Sequence, residues 1–269
     1  MAEIDPISAV LEMGRALLLT AGLTRCETGG TTYFSGGGKT GAPVVVLVHG
    51  VNDQAGTWAP VAAKLTGNLR LIVPDLPGHG TSEPRTGPLN LPFMVERLHA
   101  VIEKEETGKV TLVGNSMGAW VSMLYVLTHP DRVERLVIES GGGLAIAPGV
   151  PLTAKTREDA ERILRAVHGP DAVITERGVN ATLKLSTDSQ FLRVIASNVF
   201  PHFLDARLME IDVPTTILWG EHDGVVLRSY VDRLESGIAG SKVKVIKGAA
   251  HIPHAQQPEL FVEALLETF

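Results

Sequence analysis

Short apolar runs rich in β-branched residues recur along the chain, and stretches with helical spacing of apolar positions separate them. The runs at residues 44–48, 69–73, 110–113, 136–138, 215–218 and 243–246 lack the polar alternation of a half-exposed strand. Strands covered by helices on both faces read this way, so the six are expected to form a mostly parallel sheet. Two weaker segments, 23–27 and 32–35, precede them and raise the expected number of strands to eight. The glycines at 36–38 follow as a turn. A phosphate-cradling loop is excluded there, because no lysine–serine pair or helix comes next at the required spacing.

Between residues 138 and 215 the alternation stops. Residues 144–205 read as helices without a strand, 156–167 and 188–199 among them. The chain is therefore expected to be a single α/β core, residues 1–143 and 206–269. A helical cap, residues 144–205, is inserted after the sixth strand and covers the sheet's carboxyl end. A length of 269 residues allows about three quarters of the unfolded surface to be buried. The content of 44% hydrophobic and 20% charged residues is that of a folded globular chain.

A net charge of −6 leaves no basic stripe to neutralise phosphates, which argues against a nucleic-acid partner. The single cysteine, Cys26, excludes an intramolecular disulfide and a cysteine-based metal site, and it reads as a strand thiol without function. In the apolar stretch 7–23, Glu12 and Arg15 leave too short a run to span a bilayer, and no basic leader precedes it. An amphipathic helix of a cytoplasmic protein is expected, one that leaves a peripheral membrane contact open.

The chemistry centres on Gly114-Asn115-Ser116-Met117-Gly118, between the run 110–113 and a helical stretch at 119–129. Strand, glycine-flanked serine and helix make a sharp turn that strains the serine backbone and exposes its hydroxyl above a helix N-terminus. A serine hydroxyl needs a base, and the base needs an orienting acid. Asp223, in Trp219-Gly220-Glu221-His222-Asp223, follows one expected strand, and His251, in Gly248-Ala249-Ala250-His251-Ile252-Pro253, follows the last. Both then lie at carboxyl ends of strands, where open α/β sheets bind ligands. Glu139 competes as the acid, while His222 and His254 compete as the base. The developing oxyanion is expected to meet the backbone N–H groups of Met117 and of Val51, after the turn at His49-Gly50. His49 is expected to hold that loop through its ring, and Asp75 to fix the turn at residues 75–80.

These motifs resemble the α/β-hydrolase fold superfamily: the His49-Gly50 loop, Asp75 to Gly80 with Thr81-Ser82, the serine turn, and the Asp223 and His251 segments. Residues 49–58, Asn115 and Ile138-Glu139-Ser140-Gly141-Gly142 are similar to bacterial lipases and monoacylglycerol-lipase-like esterases. That resemblance implies ester hydrolysis through an acyl-enzyme, with Ser116 as nucleophile, His251 as base and Asp223 as its orienter. It calls for no metal and no cofactor. A small-molecule ester is the expected partner of a monomer or homodimer, in an apolar pocket drawing on Asn52, Leu144, Ile146, Phe200, Val225 and Ile252. The serine turn also resembles that of carbon–carbon bond hydrolases acting on ring-fission products. Those enzymes typically have a glycine-rich oxyanion loop and an aromatic residue after the histidine, whereas this chain has Val51-Asn52-Asp53-Gln54 and Ile252. A slow-turnover ligand receptor that keeps the three residues is a further alternative. Ser116 argues against the haloalkane dehalogenases and epoxide hydrolases, which carry an aspartate there.

Overall fold

A computed structural model describes residues 6–105 and 107–269, with side chains from residue 12 onward. Its strands are β1 (Leu23–Thr28), β2 (Thr31–Gly36), β3 (Val44–Val48), β4 (Arg70–Pro74), β5 (Val110–Asn115), β6 (Val133–Glu139), β7 (Thr215–Gly220) and β8 (Lys242–Ile246). They form one sheet in the order β1-β2-β4-β3-β5-β6-β7-β8. β2 is antiparallel to β1 and β4, and all other pairings are parallel. The helices are α1 (Pro6–Thr20), α2 (Ala59–Leu65), α3 (Leu91–Lys104), α4 (Met117–Thr128), α5 (Arg157–His168), α6 (Glu176–Leu185), α7 (Gln190–Ile195), α8 (Arg228–Gly237), α9 (Pro253–Gln256) and α10 (Pro258–Leu266).

The unbroken apolar runs are explained by cores on both faces of the sheet. Successive strand residues point to opposite sides, so Val46, Val48, Leu112 and Ile138 join one core with α3, α4 and α8. Val45, Leu47, Val113 and Val137 join the other with α1, α2 and α10. The helix expected over 7–23 ends at Thr20; Gly22, at φ 91°, turns the chain so that Leu23 can start β1. A Cβ at Gly14 would stand 2.5 Å from the Gly56 carbonyl oxygen, so α1 lies directly on the turn Ala55–Trp58. Arg15 and Leu18 are buried while Met13, Leu17 and Leu19 are exposed. No helix of the described residues is long and apolar enough to cross a membrane.

Between β6 and β7 the chain forms α5, α6 and α7, with a small apolar cluster of Ala154, Ala160 and Val179. Each helix begins with a side-chain hydroxyl on its orphan N–H groups: Thr156 in a reciprocal box with Asp159, then Thr175 and Ser189. The stretch expected to be helical over 188–199 is shorter than that, ending at Ile195 before Asn198 enters the left-handed region at φ 56°. The last turn of α5 is joined to the core. Its free carbonyls at Ala166 and Val167 accept from Gly224 N–H at 3.0 Å and His251 N–H at 3.1 Å.

Candidate active site

Ser116 links β5 to α4 at φ 52° and ψ −116°, a conformation that costs a non-glycine residue about 1–3 kcal/mol and persists only when its surroundings enforce it. They do so here: Ser116 N–H donates to Glu139 O at 2.9 Å, and Ser116 O accepts from the N–H groups of Ala119 at 3.1 Å and Gly142 at 2.9 Å. The flanking glycines allow the close approach. A Cβ at Gly114 would lie 2.5 Å from Ala119 N, and one at Gly118 would lie 2.2 Å from Val48 O. Gly50 does the same for the neighbouring loop, since a Cβ there would lie 3.3 Å from Ser116 Cβ. Met117 opens α4, so its N–H has no acceptor within the helix.

The loops after β7 and β8 bring Asp223 and His251 together. Asp223 Oδ2 stands 3.0 Å and Oδ1 3.2 Å from His251 Nδ1, with both residues buried. Asp223 Oδ1 also accepts the N–H groups of Val225 and Val226, both at 2.9 Å. The carboxylate thus fixes its own turn and the ring orientation. Asn115 Nδ2 donates to His251 O at 3.1 Å, a tie between the serine turn and the histidine loop that no local sequence pattern signals. Ser116 and His251 line one cavity. A direct serine–imidazole hydrogen bond is not among those formed by the described residues, and such contacts often tighten only with substrate bound.

Two cavities meet at Ser116. The larger, about 550 Å³, reaches past His251, Ile252, Asn52 and Asp53 toward His168 and Arg177. The smaller, about 240 Å³, runs the other way among Met117, Trp120, Leu144, Ile146, Val199 and Phe203. Val51 and Val225 border both. Five of the six expected pocket residues therefore line the cavities, and Phe200 does not. It is 77% exposed at the start of a short turn, packs edge-on against Phe203 at 6.1 Å, and leaves the inward place to Phe203. Burial beside His251 pushes His168 below the usual histidine range, and burial pushes the Asp53 carboxyl upward. No cluster of three or more His, Cys, Asp or Glu side chains among the described residues is arranged to hold a metal ion.

The model of the alpha/beta hydrolase family matches residues 45–264. The chain is a member of that family. A monoacylglycerol lipase of Mus musculus is 25% identical over 251 residues, covering 84% of this chain and 75% of the relative. A 2-hydroxy-6-oxononadienedioate/2-hydroxy-6-oxononatrienedioate hydrolase of Escherichia coli O139:H28 is 27% identical over 253 residues, covering 84% and 86%. In fold the chain matches the crystal structure of a membrane phospholipase A described as a bacterial virulence factor. The TM-score is 0.81 at 22% identity, over 98% of this chain and 91% of that one.

The hydrolase holds a second acid–histidine pair beside the first. Glu139 Oε2 lies 2.8 Å from His254 Nδ1, Glu139 Oε1 accepts His254 N–H at 2.7 Å, and both residues are wholly buried. His254 Nε2 is 2.9 Å from Thr57 Oγ1, and its ring stacks on Trp58 at 4.0 Å. Glu139, the competing acid, is therefore committed to His254, the competing base, and neither faces the cavities at Ser116. His222 is exposed beside Glu221, at 3.7 Å.

His49 and Asp75 are structural, as the sequence implied. His49 Nε2 accepts Leu76 N–H at 2.9 Å and its Nδ1 lies 2.7 Å from Gly50 O. Asp75 accepts Ala55 N–H at 2.8 Å and Thr81 N–H at 3.0 Å, and pairs with Arg15. Burial lowers His49 from 6.5 to about 4, and burial with His49 as neighbour lowers His79 to about 3. The unfolded chain therefore takes up more protons at these two sites once the pH drops below 6.5, so they destabilise the fold as pH falls from there toward about 4. Urea unfolding midpoints are expected to fall across that window, each ring contributing up to about 1.4 kcal/mol per pH unit. In His79→Gln, which cannot titrate, the slope should shrink; an unchanged slope would show that His79 is not held neutral.

Proposed function

We propose that this hydrolase cleaves carboxylic esters of apolar acyl groups through an acyl-enzyme. The observation that carries the reading is the apolar cavity that opens on Ser116 from the side lined by Met117 and Val51. An acyl chain there presents its carbonyl to Ser116 Oγ and its oxygen to the N–H groups of those two residues. His251 Nε2 takes the serine proton as the bond to carbon forms, while Asp223 holds Nδ1–H and stabilises the imidazolium. Each oxyanion donor contributes on the order of 10²–10³ in rate. The imidazolium then protonates the departing alcohol, and a water activated by the same ring releases the acid.

The second reading, cleavage of a carbon–carbon bond, is favoured by the Escherichia coli relative, which matches about as well as the lipase. Ile252 weighs against it, since it follows His251 at the position where the carbon–carbon hydrolases typically carry an aromatic residue, and here it lines the larger cavity. Side-by-side turnover of a p-nitrophenyl alkanoate and a ring-fission-type vinylogous diketone decides between them. The ester is expected to be turned over repeatedly and faster. The reverse order supports carbon–carbon cleavage, and a single burst followed by stalling supports a receptor.

A further inference from the structure

We infer that the preferred acyl group is of medium length, with an optimum near eight carbons. This rests on the ester reading above and deepens it. The chemistry decides which cavity receives which half of the ester. Met117, one of the two oxyanion donors, lines only the smaller cavity. His251, which must hand a proton to the leaving oxygen, lines only the larger. The alcohol therefore leaves on the larger side and the acyl chain occupies the smaller.

The smaller cavity holds about 240 Å³. A methylene group fills about the volume of a water molecule in the liquid, ~30 Å³, so this space takes about eight of them. Part of its lining is cross-braced. Trp120 stacks on Phe203 with ring centres 5.0 Å apart and planes 8° from parallel, and its Nε1–H donates to His202 O at 2.8 Å. Tyr230, nearly buried, accepts Leu144 N–H on its hydroxyl at 2.6 Å. Gly143 adopts φ 110° with no room for a Cβ, which would sit 2.8 Å from the Trp120 ring. A longer chain meets side chains that are each fixed by a partner in another element.

Each methylene that leaves water for such a pocket raises kcat/KM about fourfold, so going from four to eight carbons is expected to gain about two orders of magnitude. Beyond about ten carbons the gain should reverse, because the added groups displace the wall. The test runs two series of two to sixteen carbons: p-nitrophenyl alkanoates read by kcat/KM, and alkyl fluorophosphonates read by labelling rate. Both are expected to peak near eight. Phe203→Ala, which removes part of the wall, should move the optimum to longer chains, and Val199→Trp to shorter ones. A flat profile, or a peak at twelve carbons or more, overturns the inference and leaves ester hydrolysis standing. Labelling that peaks near eight without ester turnover supports the pocket and overturns the ester reading. No labelling at any length overturns both.

Discussion

Ser116→Ala is expected to lower kcat for a p-nitrophenyl ester about 10⁶-fold, the scale of loss when a serine nucleophile is removed from such a unit. The fold should survive, because the groups that enforce the turn are backbone: Ser116 N–H on Glu139 O and Ser116 O under Gly142 N–H. The strained φ of 52° belongs to the main chain, and alanine inherits it. An unchanged thermal midpoint together with the lost turnover identifies a chemical role for the hydroxyl. Retained activity would remove Ser116 from the mechanism. A fluorophosphonate should label the parent at Ser116 and leave the variant unlabelled.

The parts of this site legible in the sequence are those set by local rules. Strand β3 reads as Val-Val-Val-Leu-Val because both faces are covered, and the Gly114 and Gly118 positions read as glycine because a Cβ at either would strike backbone. Asp223 and His251 were legible by their places after β7 and β8. Burial of particular aromatics was not, because Phe200 and Phe203 are separated by one short turn and only the packing of Trp120 decides which ring faces inward. The Asn115 tie to His251 O spans 136 residues, and no local pattern announces it. The same is true of Arg15, whose burial against Asp75 and Gln54 depends on α1 lying across the Ala55–Trp58 turn.

The two acid–histidine pairs are expected to respond in opposite ways when each acid is made an amide. In Asp223→Asn the side-chain oxygen can keep the Val225 and Val226 N–H groups, which leaves the amide nitrogen facing His251 Nδ1. That nitrogen donates, so Nδ1 must accept and the ring proton moves to Nε2, where a lone pair is needed for the serine proton. The loss of kcat is expected to be about 10⁴-fold, with little change in stability. Glu139→Gln acts on a buried pair outside the cavities. Its oxygen can keep only part of what the carboxylate accepts from His254 N–H and Nδ1. A stability loss of about 1–3 kcal/mol is expected, read from urea midpoints, with kcat within about tenfold of the parent. Ser116 N–H is held by the Glu139 main-chain carbonyl, which the substitution leaves in place, so the serine turn should not relax. If Glu139→Gln instead abolished turnover while Asp223→Asn was tolerated, the catalytic acid would be Glu139, and His254 would have to reach Ser116 by a rearrangement of α9.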